Sequence, residues 1–340
     1  MLRSGNKLIM KKVFFVILIL AAVFGAGFYL LYFPPAVRSA DADSRITIKF
    51  DKPVKRQKIS HIITPDVLGE WSFEDSLIRN HLFRTLVFTP AIGFEPDTEY
   101  TVNLENITNA FGFGGKGDFS FSFRTAPIQE LSGVGLRSIE SLPEPKVTLI
   151  DVPPDWQDYP LSCEAASLKM ALAAKDISVS EDKIMEKIGY DMSPHIGNFW
   201  GDPDKAFVGN IYGKMCETGY GVYWEPVAKA SSHWRNSESF SGWTLGRLIQ
   251  ELESGNPVVF WGVLSNGGPL NDCSWWYSKE GKRVKAFKET HVRVAIGFIG
   301  DAENPSKIII NDPLSGRLYW DTGYFMKNWE IFGNSGVVVR

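Results

Sequence analysis

A cysteine, Cys163, stands in the run Ser162-Cys163-Glu164-Ala165-Ala166-Ser167, six residues after Gln157. Far downstream, Thr290-His291-Val292 and Asn311-Asp312-Pro313 supply an imidazole and a carboxylate. A thiol attacks carbonyl carbon as thiolate, and a neighbouring base generates that thiolate. The base needs a third group to fix its tautomer, and the developing oxyanion needs a hydrogen-bond donor. Cys163, His291, Asp312 and Gln157 are the residue types for nucleophile, base, orienter and oxyanion donor. The chemistry open to them is acyl transfer through a thioester, which needs no metal or organic cofactor. Taken alone, Cys163 is equally readable as a buried structural cysteine.

The elements around these residues have to bring them together. Ser162 is placed to cap a helix beginning at Cys163, with Ala165, Leu168 and Leu172 as its apolar stripe. A cysteine at that end feels the helix dipole and free backbone N–H groups, which favour thiolate. A second helix follows Ser180, with Ile184 and Ile188 inward, and a third follows Thr244, with Leu245, Leu248, Ile249 and Leu252 at helical spacing. That third helix stops at Gly255-Asn256-Pro257, and the apolar strand Val258–Val263 comes next. Further strands read at 291–298, 307–311 and 337–339. Helices followed by strands predict an α+β arrangement on an antiparallel sheet. The loop 300–306 closes a hairpin that brings His291 and Asp312 side by side. Strict alternation puts Val292, Val294, Ile296 and Phe298 on one face and His291, Arg293 and Ala295 on the other. No strand pairing offers a carboxylate to His195 or His233, and His61 and His81 read as loop or surface residues.

The N-terminus sets the compartment. Val13 to Phe33 is uncharged and long enough for a bilayer-spanning helix of about 20 residues. Arg3, Lys7, Lys11 and Lys12 precede it, and Arg38 is the next basic residue. The excess of positive charge leaves residues 1–12 in the cytoplasm and everything after the segment outside. A cleaved signal with Ala40-Asp41-Ala42 at its end is the competing reading, and it too exports the rest. The net charge of −3, with no basic block beyond the anchor, argues against nucleic acid as a partner. Three cysteines are too few for a disulfide scaffold, but Cys216 and Cys273 could pair and leave Cys163 free.

From 44 to 126 the pattern alternates as in strands: Ile46, Ile48 and Phe50, then Tyr100, Val102 and Leu104, then Phe119, Phe121 and Phe123. Turn residues separate these runs, which predicts a small all-β sandwich. The order Ile-x-Ile-x-Phe-Asp-x-Pro-Val, Phe-Thr-Pro, Pro-Asp-Thr-x-Tyr-Thr-Val and Phe-Ser-Phe-x-Thr resembles bacterial Ig-like domains. That resemblance implies a spacer or adhesion module with cell-envelope contact. Residues 127–146, with Gly133, Gly135, Pro143 and Pro145, suit a linker, and 147–340 form the second domain.

The order Gln, Cys, His, Asp is that of papain-type peptidases, and the Cys-to-His spacing approaches their ~130–150 residues. More specific runs are Trp200-Gly-Asp-Pro203, Phe207-Val-Gly-Asn210, Tyr212-Gly213, Gly219-Tyr-Gly-Val-Tyr223, Gly255-Asn-Pro-Val-Val-Phe-Trp-Gly262 and Asn311-Asp-Pro-Leu-Ser-Gly316. With Gln157 through Ser167 and His291, they make residues 147–340 resemble the Peptidase_C39-like family of papain-like cysteine peptidases. The resemblance implies a papain-like fold, a peptide or protein substrate, Cys163 as nucleophile, His291 as base, Asp312 as its orienter and Gln157 as oxyanion donor. The sequence departs from the family pattern at Val292-Arg293, where small apolar residues are usual, and at Ile211, where proline is common. Neither departure is expected to touch a catalytic atom. No transporter follows in this sequence, so bacteriocin leaders are a poor guess for the substrate.

Two other functions fit the same residues. One is an amidase or transpeptidase acting on cell-wall peptides. The other is a non-catalytic surface binding module, with Trp156, Trp200, Trp234, Trp261, Trp275 and Trp276 lining a groove.

Overall fold

The computed structural model describes residues 35–42, 44–55, 59–74, 82–109, 117–126, 146–264 and 272–340. The apolar segment 13–33, almost all of the linker and His81 lie outside the described residues. No helix among the described residues is long and apolar enough to cross a membrane. The chain divides into two compact units, before and after about residue 134.

The first unit is a two-sheet β-structure. Its strands are β1 (Val37–Ala42), β2 (Ile46–Lys55), β3 (Ser60–Thr64), β4 (Gly69–Glu74), β5 (Leu82–Pro90), β6 (Glu99–Ile107) and β7 (Gly117–Arg124). One sheet has the order β1-β2-β5-β4 and the other β3-β6-β7. Ile46, Ile48, Phe50, Tyr100, Val102 and Leu104 are buried between them, and Phe119, Phe121 and Phe123 pack on that core half-covered. The period-2 pattern thus fills one sandwich interior. β1 lies N-terminal to residue 44, and Ala40 and Ala42 pair with Ile48 and Ile46.

The second unit carries β8 (Val147–Leu149), α1 (Cys163–Ala173), α2 (Glu181–Ile188), β9 (Tyr190–Asp191), β10 (Phe207–Gly209), β11 (Gly219–Gly221) and α3 (Trp224–Ser231). It continues with β12 (Ser237–Phe240), α4 (Leu245–Glu253), β13 (Val258–Val263), β14 (Asp272–Tyr277), β15 (Arg283–Phe287), β16 (Thr290–Asp301), β17 (Asn304–Asp312), β18 (Gly316–Asp321), α5 (Thr322–Glu330) and β19 (Gly336–Val339). Strand outweighs helix here. The expected order of helices first and strands later is broken by β9, β10, β11 and β12, which come before α4. The main sheet has the order β12-β19-β13-β16-β17-β18, with β8 also paired to β16. All of its pairings are antiparallel.

β16 is the central strand, and its first ten residues are all buried. Phe260, Ala295, Phe298, Ile308, Ile310, Phe325 and Trp329 form the core between one sheet face, α4 and α5. Ala295 and Phe298 share this face, against strict alternation. A register shift between Ala295 and Gly297 moves one residue out of phase, as a bulge does.

α1 is buried on almost every side, including Ser167 and Glu164, so its environment is wider than the expected stripe. It lies against β16, where Ser167 Oγ donates to the Val292 carbonyl at 3.0 Å.

Candidate active site

The β16–β17 hairpin brings His291 and Asp312 together. Val294 pairs with Asn311, so one step outward Asp312 falls opposite Arg293, and His291 stands diagonal to it. The carboxylate spans both neighbours. His291 Nε2 donates to Asp312 Oδ1 at 3.0 Å, and Arg293 Nε donates to Oδ2 at 2.6 Å. All three side chains are buried. Burial alone would raise the Asp312 carboxyl, yet His291 and Arg293 hold it well below the usual carboxylate range. Burial lowers His291, Asp312 opposes that shift, and Arg293 reinforces it, leaving the imidazole below its ordinary value. A neutral imidazole bonded through Nε2–H to an ionised carboxylate keeps its lone pair on Nδ1. His291 is thereby set up as a proton acceptor at Nδ1.

Arg293 is the departure from the family pattern that was expected to touch nothing catalytic. It touches Asp312. Its Nη1 donates to the Val263 carbonyl at 3.2 Å, and its guanidinium stacks 4.6 Å over Trp320. Asn328 of α5 holds the same peptide, with Nδ2 to Val263 O at 2.9 Å and Oδ1 accepting from Val263 N at 3.2 Å. Gly262 is paired with His291, and a Cβ there would collide with Asn328. Alternation along β16 placed Arg293 on the face of His291, as expected, but gave no sign of its bond to Asp312. No sequence signal marked Asn328.

Cys163 opens α1 as expected and is a free cysteine, 6 % exposed. Cys216 is disulfide-bonded, while the Cys273 side chain lies outside the described residues. The β16 backbone at Val292, the residue after His291, acts on the thiol in the direction of thiolate. On its other side, Sγ is 3.4 Å from Glu164 Oε2. Burial first and the Glu164 carboxyl second push the thiol well above its ordinary value. The helix dipole was expected to lower it, and the dipole is outweighed here. A desolvated thiolate beside a carboxyl loses more than a helix end returns.

Ser180 and Thr244 cap their helices, accepting from Lys183 N at 3.3 Å and Arg247 N at 3.2 Å. Ser162 makes no such bond to α1. Its hydroxyl turns back to Tyr159, accepting from the amide at 3.1 Å and donating to the carbonyl at 3.2 Å. The first N–H groups of α1 are therefore without a capping side chain, and helix N-termini in that state bind anions.

Gln157 sits on a loop tied to the end of β17. Its N–H donates to Pro313 O at 3.1 Å, and Asn311 Nδ2 donates to Val152 O at 2.9 Å. Glu181 and Asp182, in the first turn of α2, brace the loop from behind. Glu181 Oε1 accepts from Asp158 N at 3.0 Å, and Tyr159 OH donates to Asp182 Oδ1 at 2.5 Å. The Gln157 amide itself donates to the carbonyls of Tyr159 at 2.7 Å and Pro160 at 3.0 Å, while its Oε1 is buried without a partner. Both amide hydrogens are spent inside the loop, so donation to an oxyanion requires Gln157 to exchange one of them.

Neither His195 nor His233, the other described histidines of this unit, bonds to this cluster. His195 stacks on Trp200 at 4.3 Å, His61 stacks on Trp71 at 4.7 Å, and His233 Nδ1 lies 3.2 Å from Lys229 O. Trp200, Trp261 and Trp276 are buried. The last two donate their indole N–H to Val222 O and Gly201 O. Half of the expected aromatic groove is therefore core.

Residues 33–125 match the model of the bacterial Ig-like domain. A relative, the uncharacterized protein YvpB of Bacillus subtilis, is 25% identical over 182 residues, covering 52% of this chain and 68% of that protein. A crystal structure of a candidate C39-like peptidase from Bacillus anthracis shares 24% identity, with a TM-score of 0.49, and covers 57% of this chain and 98% of that one. A double glycine motif protease from an AMS/PCAT transporter, solved with its leader peptide, shares 17% identity with a TM-score of 0.32 and covers 58% of this chain and 97% of that one. Residues 149–337, more than half of the sequence, match the Peptidase_C39-like family model, and the chain belongs to that family.

Proposed function

We propose that this protein is a cysteine peptidase that cleaves peptide bonds with Cys163 as nucleophile, His291 as base, Asp312 as orienter of His291, and Gln157 with the α1 N–H groups as oxyanion donors. One observation carries the reading. Ser167 of α1 bonds the Val292 carbonyl and so docks the helix that Cys163 opens onto β16, and the adjacent His291 is tethered to Asp312 through the nitrogen that leaves Nδ1 as acceptor. On attack, the sulfur–carbon bond forms as the S–H proton passes to His291 Nδ1. The imidazolium then protonates the leaving amine as the carbon–nitrogen bond breaks, and water releases the acyl group. A neutral thiol beside a neutral imidazole makes this base-assisted attack, without a resting ion pair.

The test is cleavage of an unstructured protein substrate by wild type and Cys163→Ala, with fragments read by mass spectrometry. Equal cleavage by both would end the proposal. Release of cell-wall peptides with proteins left intact would redirect it to an amidase.

The same proposal places the peptidase domain outside the cell, held by residues 13–33, with the Ig-like domain toward the envelope. The charge-flanked apolar run supports export. The pairing of Ala40 and Ala42 within β1 supports retention over clipping there, since clipping would strip a strand from the first unit. Extraction of the full chain by alkaline carbonate would contradict the anchor.

A further inference from the structure

Glu164 is the buried ionisable group that the proposed chemistry leaves unused. Its side chain is 2 % exposed, and among the described residues no Lys, Arg or His pairs with it. Its aim is built into the fold. Val222 N donates to Oε1 at 2.9 Å, and Gly221, with φ of 138°, leaves the space that a Cβ would take from that oxygen. With Oε1 so held, Oε2 faces Cys163 Sγ at 3.4 Å. A glutamine would satisfy Val222 equally well without the cost of burying a charge. The carboxyl is therefore not explained by packing or by the Val222 bond.

We propose that Glu164 is the proton-holding partner of the nucleophile: its carboxylate accepts the Cys163 S–H and keeps the thiol neutral until substrate or protonation of Glu164 releases it. This rests on Cys163 being the nucleophile. The titratable groups around the pair are Tyr220 of β11, which acts on Glu164, and Asp312 of β17 on the thiol side, which His291 and Arg293 of β16 bond. Tyr220 is occupied by Thr290 and Tyr223 at 3.1 and 3.2 Å. Arg293 is occupied by Asp312 at 2.6 Å. Neither neutralises Glu164. During attack the S–H proton still passes to His291 Nδ1, and Glu164 gains and loses nothing. Its effect is on how much thiolate the free protein holds.

The experiment is iodoacetamide labelling of Cys163 in the full chain from pH 5 to 10, mapped by mass spectrometry, for wild type and Glu164→Gln. The variant keeps an acceptor for Val222 and removes the charge facing sulfur. The midpoint of its labelling profile is expected to fall by at least one pH unit, about a tenfold faster reaction at pH 7. An unchanged or higher midpoint in a folded variant overturns the proposal. Infrared spectroscopy of the wild-type S–H stretch gives a second reading that needs no variant. The band should shift as Glu164, which burial pushes up to about 7, ionises, and a constant band from pH 5 to 9 would equally overturn it. Both readouts are made without substrate. A protein with no turnover can still show the Glu164 effect, and an active peptidase can still lack it.

Discussion

Arg293 Nε lies 2.6 Å from the Asp312 oxygen that His291 does not use, so one buried carboxylate is shared between an imidazole and a guanidinium. Removing the guanidinium leaves that carboxylate under-compensated. Arg293→Met should cost about 3–5 kcal/mol, the range for breaking a buried pair from one side, seen as a lower urea midpoint at unchanged m. Arg293→Lys should recover only part, because an ammonium cannot span Asp312, Val263 and the Trp320 face as the planar fork does. A loss below about 1 kcal/mol for Arg293→Met would show that Asp312 does not depend on Arg293.

The pair His291–Asp312 was legible because a hairpin's register follows from two strand patterns and the loop between them. The offset of two positions was not, since it comes from a turn centred between Ala302 and Glu303, where Asp301 pairs with Asn304, and the shifts at Ala295/Gly297 and Ile299/Gly300 cancel each other. Cys163 at a helix start was legible from Ser162 and the alanines after it. The direction of its acidity was not. That depends first on the burial of the thiol and then on Glu164 folding back onto sulfur, which is held by Gly221 and Val222, almost sixty residues away. Which of the tryptophans are core was not legible for a similar reason, because composition counts an aromatic ring without its neighbours.

Acid and alkaline stability should have separate causes. Asp312 is depressed on folding. Its contribution is present above the unfolded carboxyl value of ~3.9 and is lost as the pH falls below it. Glu164 and Glu181 are both pushed up to about 7, chiefly by burial. A raised folded value gives stability that is full below ~4.3 and is lost as the pH climbs to 7. The protein should therefore be most stable near pH 4.5–5 and decline toward neutrality by up to about 3 kcal/mol per buried glutamate. In Glu164→Gln the decline should be visibly shallower. A pH series of urea midpoints checks this, and a wild-type curve that rises from pH 5 to 7 would contradict it.

Substitutions at the three side chains of the proposed triad should separate chemistry from folding. Cys163→Ala should keep the wild-type melting temperature and lose turnover. His291→Ala should lower kcat by on the order of 10⁴ or more, as loss of a general base does in enzymes of this chemistry. Asp312→Asn should be less innocent than its isosteric shape suggests, since it leaves Arg293 as an unpaired buried cation. It should lose about 3 kcal/mol of stability besides activity. Wild-type turnover in Cys163→Ala, or full stability in Asp312→Asn, would refute the corresponding assignment.

Gln157 presents the sharpest choice between two roles, because its amide is committed to Tyr159 and Pro160 at 2.7 and 3.0 Å while the α1 N–H groups beside it lack a side-chain cap. As an oxyanion donor it acts only when the tetrahedral oxygen develops. Gln157→Ala should then lower kcat by about 10²–10³ with KM nearly unchanged. As a loop brace it acts in the free protein, and its loss should loosen 157–162, raise KM and lower the melting temperature while kcat stays within a few-fold. Glu181 offers the control. It holds the same loop from behind through Asp158 at 3.0 Å and has no path to an oxyanion. Glu181→Gln should give the brace pattern alone. We expect Gln157→Ala to show the kcat loss, with the helix N–H groups leaving measurable residual activity. Matching profiles for the two variants would assign Gln157 to the loop and leave the α1 terminus as the oxyanion site.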